Sequence, residues 1–127
     1  MNFFEEKNYQ IIENNKGNIF KFANVDKYSD FIKGEIYFSE VKANESKPWR
    51  RHTRINTVIG VVSGEINIKI RSDKSNQLIT KKLSLENSTL IKINFGTWYS
   101  FENKKNMPCL LFAMLDKKHD DSEVERL

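Results

Sequence analysis

The stretch Glu65-Ile66-Asn67-Ile68-Lys69-Ile70-Arg71 puts isoleucine at every second position, with polar or charged side chains between. A period of two sends the isoleucines to one face and the polar residues to the other, the pattern of an antiparallel strand buried on one side. Ile91, Ile93 and Phe95 repeat it. Further strand-like segments cover residues 19–23, 35–41, 57–62, 78–85, 97–102 and 109–115, about eight short strands in all. Turn chemistry separates them at Ser63-Gly64, at Ser72-Asp73-Lys74-Ser75-Asn76 and at Asn103-Lys104-Lys105-Asn106, and Gly64 and Gly96 are read as turn glycines. The run Cys109-Leu110-Leu111-Phe112-Ala113-Met114-Leu115 is apolar on both faces and predicts a central strand covered on both sides. Short strands at this spacing, with no sustained helical period, predict an all-β sandwich or small barrel. No repeat, linker or low-complexity stretch divides residues 1–127, so a single domain is expected. Only the ends offer helical segments. These are residues 7–15, and residues 120–127 with Asp120, Asp121 or Ser122 as a cap.

Composition supports a packed domain: the 127 residues are 39% hydrophobic and 12% aromatic, enough for a real core and incompatible with a disordered chain. The net charge of +4 suits an anionic partner, and Lys47, Arg50, Arg51 and Arg54 cluster beside Trp49. The other lysines are scattered among Glu and Asp and no recognition helix is apparent, so nucleic acid is not expected as the partner. Cys109, the single cysteine, lies inside the apolar run and is expected in the core, which suits a reducing compartment. The opening residues Met1-Asn2-Phe3-Phe4-Glu5-Glu6-Lys7 are acidic where a signal peptide is basic, and no apolar run approaches the ~20 residues of a membrane span. A cytoplasmic location and no membrane partner are expected.

Two histidines are present, His52 in Pro48-Trp49-Arg50-Arg51-His52-Thr53-Arg54 and His119 in Lys117-Lys118-His119-Asp120-Asp121. Histidine is the side chain whose unperturbed titration falls near neutrality, so the two are the natural candidates for a proton-transfer pair. They make a poor metal set, because metal sites need several ligands converging on one ion and a cation beside Arg50, Arg51 and Arg54 would be repelled. No metal and no other cofactor are expected.

Five stretches in order resemble one family. They are Gly34-Glu35-Ile36-Tyr37-Phe38-Ser39-Glu40-Val41, Trp49-Arg50-Arg51-His52, Val61-Val62-Ser63-Gly64-Glu65-Ile66, Phe95-Gly96-Thr97-Trp98-Tyr99-Ser100-Phe101, and His119-Asp120-Asp121-Ser122-Glu123-Val124-Glu125-Arg126. Over residues 34–126 the chain resembles the small cupins related to dTDP-4-dehydrorhamnose 3,5-epimerase. The resemblance implies an all-β, single jelly-roll (cupin) barrel of antiparallel strands, usually dimeric, that binds a nucleotide-linked 4-keto sugar in its mouth without a metal. Phe3, Phe4, Ile11 and Ile12 are the candidates to lie across a partner's sheet.

The chemistry that follows is proton abstraction next to a ketone. The C3 and C5 protons of a 4-keto sugar are alpha to the carbonyl, so a base can remove one and leave an enolate that is reprotonated on the opposite face. His52 matches the family's catalytic base. Arg50 and Arg54 alternate with His52 and would share its face, which makes them candidates for enolate or diphosphate contacts, whereas Arg51 would point away. His119 falls where the epimerases keep a tyrosine acid, with Tyr99 and Tyr37 as alternatives. Trp98 and Tyr99 could stack on base or sugar, yet at least one of them is expected in the core. In longer members the carboxylate partner of the base lies beyond the point where this chain ends, leaving Asp73, Asp116, Asp120 and Glu123 as candidates. The expectation is an isomerase, an epimerase acting at C3, C5 or both in deoxysugar or surface-polysaccharide biosynthesis. The alternatives are a 3,4-ketoisomerase, whose family typically carries His-x-His where this chain has Arg50-Arg51-His52, and a non-catalytic sugar-nucleotide-binding cupin.

Overall fold

The computed structural model describes residues 3–72, 74 and 76–127, with the side chains of Val25 and Ile32 left aside; Asp73, one of the candidate carboxylates, lies outside the described residues. The strands are β1 (Phe4–Asn8), β2 (Gln10–Ile12), β3 (Ile19–Lys21), β4 (Glu35–Val41), β5 (Ser46–His52), β6 (Thr57–Ser63), β7 (Glu65–Ser72), β8 (Leu78–Ser84), β9 (Thr89–Ile93), β10 (Thr97–Glu102), β11 (Cys109–Leu115) and β12 (Val124–Arg126). One helix, α1 (Val25–Ile32), and a 3-10 turn at Asp121–Glu123 complete the described elements.

Among the described residues the strands form two five-stranded sheets, β1-β9-β6-β11-β4 at the back and β12-β5-β10-β7-β8 at the front, with β2 and β3 as a separate hairpin. The pairings are antiparallel. Ile66, Ile68 and Ile70 of β7 are almost fully buried and meet Ile59, Val61, Ile91 and Leu111 of the back sheet, so the two sheets stack face to face over one core. Each such isoleucine contributes about 1.5–3 kcal/mol by leaving water. Chains alternating between two stacked antiparallel sheets in this order give the jelly-roll arrangement that the family resemblance implies.

β11 pairs with β6 on one side and β4 on the other. Its Cys109 and Leu111 face the inter-sheet core, while Phe112 and Met114 pack outward under Tyr9, Tyr28 and Phe31. That second layer comes from the N-terminal segment and α1, and it explains why the strand is apolar on both faces. Gly60 of β6 lies beneath it: a Cβ there would sit 2.6 Å from Leu90 Cδ2 and from Phe112 Cζ.

Three expectations about the elements are corrected. Residues 7–15 are not helical but hold the end of β1 and all of β2, because β1 extends the back sheet along β9 and Tyr9 donates its hydroxyl to the Leu85 carbonyl. The helix is instead α1, too short to show a period; Asn24 caps it by accepting from the Lys27 N–H at 2.9 Å, and Tyr28 and Phe31, one turn apart, face the back sheet. Residues 120–127 form the 3-10 turn, capped by Asp120 through the Ser122 N–H at 3.0 Å, and then β12, which adds to the front sheet beside β5.

Candidate active site

β5 carries the basic segment. Its pairing with β10 sets Arg51 opposite Trp98 and Arg50 opposite Tyr99, so alternate residues of both strands divide between the two faces of the front sheet. Arg50, His52 and Tyr99 face the interior, and Arg51 and Trp98 face outward.

His52 is 3% exposed and Glu123 is 1% exposed. The Glu123 carboxylate bonds His52 Nδ1 and also accepts the backbone N–H groups of Thr53 at 2.9 Å and Arg54 at 3.3 Å. Burial alone would push the Glu123 carboxyl up, but the hydrogen bond and charge of His52, with the two backbone N–H groups, outweigh it and hold the carboxyl below its ordinary value. An ionised carboxylate accepts only, so Nδ1 carries the proton and Nε2 is left with a free lone pair. Tyr99 donates its hydroxyl to that nitrogen at 3.1 Å. The result is a carboxylate-imidazole-phenol chain inside the fold. Of the four candidate carboxylates, the partner of His52 is Glu123. Asp116 is committed elsewhere, to the backbone and side chain of Asn56 at 3.0 and 2.9 Å, and Asp120 caps the 3-10 turn.

Burial raises the Tyr99 phenol well above its ordinary value; nearby Arg50 works against this, while Tyr37 and Glu123 add to it. Thr57 of the back sheet stands near the Tyr99 phenol and eases it slightly down, while its buried Oγ1 has no partner that meets hydrogen-bond geometry among the described residues. Beside this group a cleft opens between the sheets, lined by Tyr37 and Ser39 of β4 and by Lys47 and Arg50 of β5. Lys47 Nζ reaches across to Ser39 Oγ at 2.6 Å, and burial, together with the Arg50 charge, lowers its pKa against the pull of Glu40. Two cations therefore share one cleft, an arrangement that favours an anionic occupant.

Several candidate residues stand elsewhere than expected. Arg54 does not share the face of His52: β5 ends at His52, the chain bends so that the Thr53 and Arg54 N–H groups reach Glu123, and the Arg54 guanidinium pairs at the surface with Asp120 at 2.8 Å. Trp98 does not line the interior, because strand alternation puts it opposite Tyr99; Arg51 lies 4.6 Å and Arg71 5.8 Å over its ring. His119 is exposed, with its ring bonded to Asp121 at 3.0 Å and its N–H to Glu35 at 2.9 Å, and no contact joins it to His52. The structure thus assembles His52, Tyr99 and Arg50, and leaves His119, Arg54 and Trp98 outside the group. Sequence reasoning named Glu123 only as one of four carboxylates, placed Lys47 only in the basic cluster suited to an anionic partner, and assigned nothing to Ser39 or Thr57. Their side chains meet through sheet stacking, which no local signal reveals.

Among solved structures, the dTDP sugar isomerase from Desulfovibrio desulfuricans G20 superposes with a TM-score of 0.88 at 27% identity, over 98% of this chain and 83% of that one. This chain has the fold of the dTDP-sugar epimerase and isomerase cupins. The dTDP-6-deoxy-D-glucose-3,5-epimerase from Legionella pneumophila Philadelphia 1, in complex with dTDP-4-keto-L-rhamnose, matches this cupin at a TM-score of 0.84 and 12% identity, over 100% of this chain and 73% of that one. A sugar 3,4-ketoisomerase from Thermoanaerobacterium thermosaccharolyticum, in complex with TDP, matches at 0.77 and 13% identity, over 98% and 88%. Neither the protein-family models nor the curated sequences compared with this cupin give a match.

Among the described residues, no group of three or more His, Cys, Asp or Glu side chains converges as a metal site, and no helix is long and apolar enough to cross a membrane.

Proposed function

We propose that the protein is an epimerase of a nucleotide-linked 4-keto-6-deoxy sugar, removing and returning a proton at C3, C5 or both. One observation carries the reading: buried Glu123 holds the Nδ1 proton of His52, which leaves Nε2 as a base inside a cupin fold shared with dTDP-sugar isomerases. His52 Nε2 takes the proton alpha to the ketone, and the C–H electron pair becomes an enolate with negative charge on the C4 oxygen. Arg50 supplies positive charge to that oxygen or to the diphosphate, with Lys47 beside it. Tyr99 orients the imidazole through its hydrogen bond to Nε2, and that bond must yield when substrate arrives. Glu123 stabilises the imidazolium that forms. The buried setting keeps bulk water from the enolate.

A 3,4-ketoisomerase is the second reading, favoured by Tyr99 lying on the same wall as His52, where a proton can be delivered to C4 on the face from which C3 lost one. Incubation with dTDP-4-keto-6-deoxyglucose and NMR analysis of the sugar separates them. Epimerisation changes the configuration at C3 or C5 with the ketone still at C4, whereas ketoisomerisation moves the ketone to C3. A product with the ketone moved, or no product at all, would count against the epimerase.

A homodimer is also proposed. Phe3, Phe4 and Ile11 pack on their own core, but Ile36 and Phe38 of the edge strand β4 are 63% and 68% exposed and suit a second copy of the chain. The free, buried Cys109 fits a reducing, cytoplasmic setting.

A further inference from the structure

The second layer over the back sheet does not close completely. Between the end of β1, the β2-β3 hairpin and the start of α1 it leaves a cavity of about 200 Å³. The cavity lies on the outer face of that sheet, away from the cleft that holds Lys47 and Arg50. Its walls are aromatic: Phe22 stands edge-on to Tyr9 with 4.9 Å between ring centres, and Tyr28 forms the side contributed by α1. Its rim is cationic, with Lys21 following the hairpin and Lys27 on the helix. Neither lysine makes an ion pair among the described residues, and no acidic side chain among the described residues lines the cavity.

Tyr28 carries the argument furthest. It is only 7% exposed, yet its hydroxyl makes no hydrogen bond among the described residues, whereas the Tyr9 hydroxyl is engaged by the Leu85 carbonyl. A polar side chain buried to this degree ordinarily has a partner. Burial raises the Tyr28 phenol against the pull of the Lys7 charge, so the proton stays on the oxygen and is there to be donated. Asn24 adds a donor at the edge: its side-chain oxygen accepts the Lys27 N–H at 2.9 Å, which leaves the NH₂ group for another acceptor.

We propose that this cavity is a second binding site, separate from the catalytic cleft, for a phosphoryl group presented as free phosphate or as a small phosphomonoester. Two lysines without carboxylate partners suit the about 1.5–2 negative charges that a phosphoryl group carries near neutrality, more than one carboxylate supplies. Its several acceptor oxygens match the Tyr28 hydroxyl, the Asn24 amide and the two ammonium groups together. The space equals the liquid volume of about six or seven waters. That admits phosphate with a short polyol attached and excludes a whole nucleotide sugar.

Heteronuclear amide NMR of the full chain, titrated with sodium phosphate or with glycerol phosphate at constant ionic strength, tests the site. Arg50→Ala carries the same titration with the catalytic cleft weakened. Saturable shifts are expected at the amides of residues 21–28, in wild type and Arg50→Ala alike. Tyr28→Phe keeps the ring and Lys27→Ala alters an exposed side chain, and each is expected to weaken binding there by more than about tenfold, the loss of one charge-assisted hydrogen bond. Tighter binding of the glycerol ester would identify a phosphomonoester as the occupant, and phosphate binding as well or better would identify the free ion; either supports the site. Shifts confined to residues 47–54, or lost altogether in Arg50→Ala, would overturn the proposal by placing the anion in the catalytic cleft. No saturable shift at residues 21–28 with either ligand, or an affinity there unchanged in both Tyr28→Phe and Lys27→Ala, would overturn it as well.

Discussion

Replacing Glu123 by glutamine keeps the side-chain shape and removes only the charge. The carboxylate accepts three donors, His52 Nδ1–H and the Thr53 and Arg54 N–H groups, in a pocket where the residue is 1% exposed. A carboxamide has one acceptor oxygen, which the two backbone N–H groups claim, so its NH₂ must face Nδ1. The imidazole then relaxes to the other tautomer, with the proton on Nε2, and no lone pair remains to abstract a proton from substrate. In a histidine whose carboxylate partner becomes an amide, that wrong tautomer costs up to ~10⁴-fold in turnover. Losing one charge-assisted hydrogen bond costs about 1.5–3 kcal/mol of stability, which the fold can absorb. Because the Glu123 carboxyl is held below its unfolded value, its stabilisation is full above about pH 4.3 and fades as pH falls through the folded value. The stability gap between wild type and Glu123→Gln, read by urea unfolding, is therefore constant near neutrality and narrows in acid. Turnover within threefold of wild type by a folded Glu123→Gln protein, or a gap that widens in acid, would refute the reasoning.

Arg50→Ala is expected to weaken nucleotide-sugar binding by more than tenfold in titration calorimetry, the loss of a charged hydrogen bond worth about 1.5–3 kcal/mol, whereas Arg54→Ala, paired with Asp120 at the surface, changes it little. Asn103 donates to the carbonyls of Val41, Lys42 and Met107 and accepts from the Lys105 N–H, so Asn103→Leu should cost at least about 1–3 kcal/mol in chemical unfolding. Gly60→Ala drives a Cβ into Leu90 and Phe112, and a melting temperature equal to wild type would contradict the packing, which predicts about 1–3 kcal/mol of strain.

The strands were legible wherever burial is one-sided, as in β7, and β10 and β11 begin and end where their apolar pattern does. Short elements held by their neighbours were not: β1 and β12 exist because β9 and β5 offer open edges, and α1 because Tyr28 and Phe31 cover the back sheet. The site divides in the same way. His52 was named from its residue type and the family resemblance and Arg50 from strand alternation with it, while the same alternation, carried on to Arg54, failed where the strand ends. Adjacent Trp98 and Tyr99 had to separate to opposite faces, but which one turned inward depended on the register with β5 and β7. Glu123 needed the 3-10 turn to enter the core, and nothing in an acidic segment marks one carboxylate for burial.

The most direct test of the account measures deuterium uptake from solvent at the carbon next to the ketone of dTDP-4-keto-6-deoxyglucose, for the wild-type protein and His52→Asn side by side, with nucleotide-sugar affinity recorded for both. Wild type is expected to incorporate label, and His52→Asn to lose uptake by at least about 10²-fold while it binds the sugar nucleotide with similar affinity. Label entering at the wild-type rate without the His52 imidazole, or failing to enter with it, would contradict the claim that this buried histidine is the base.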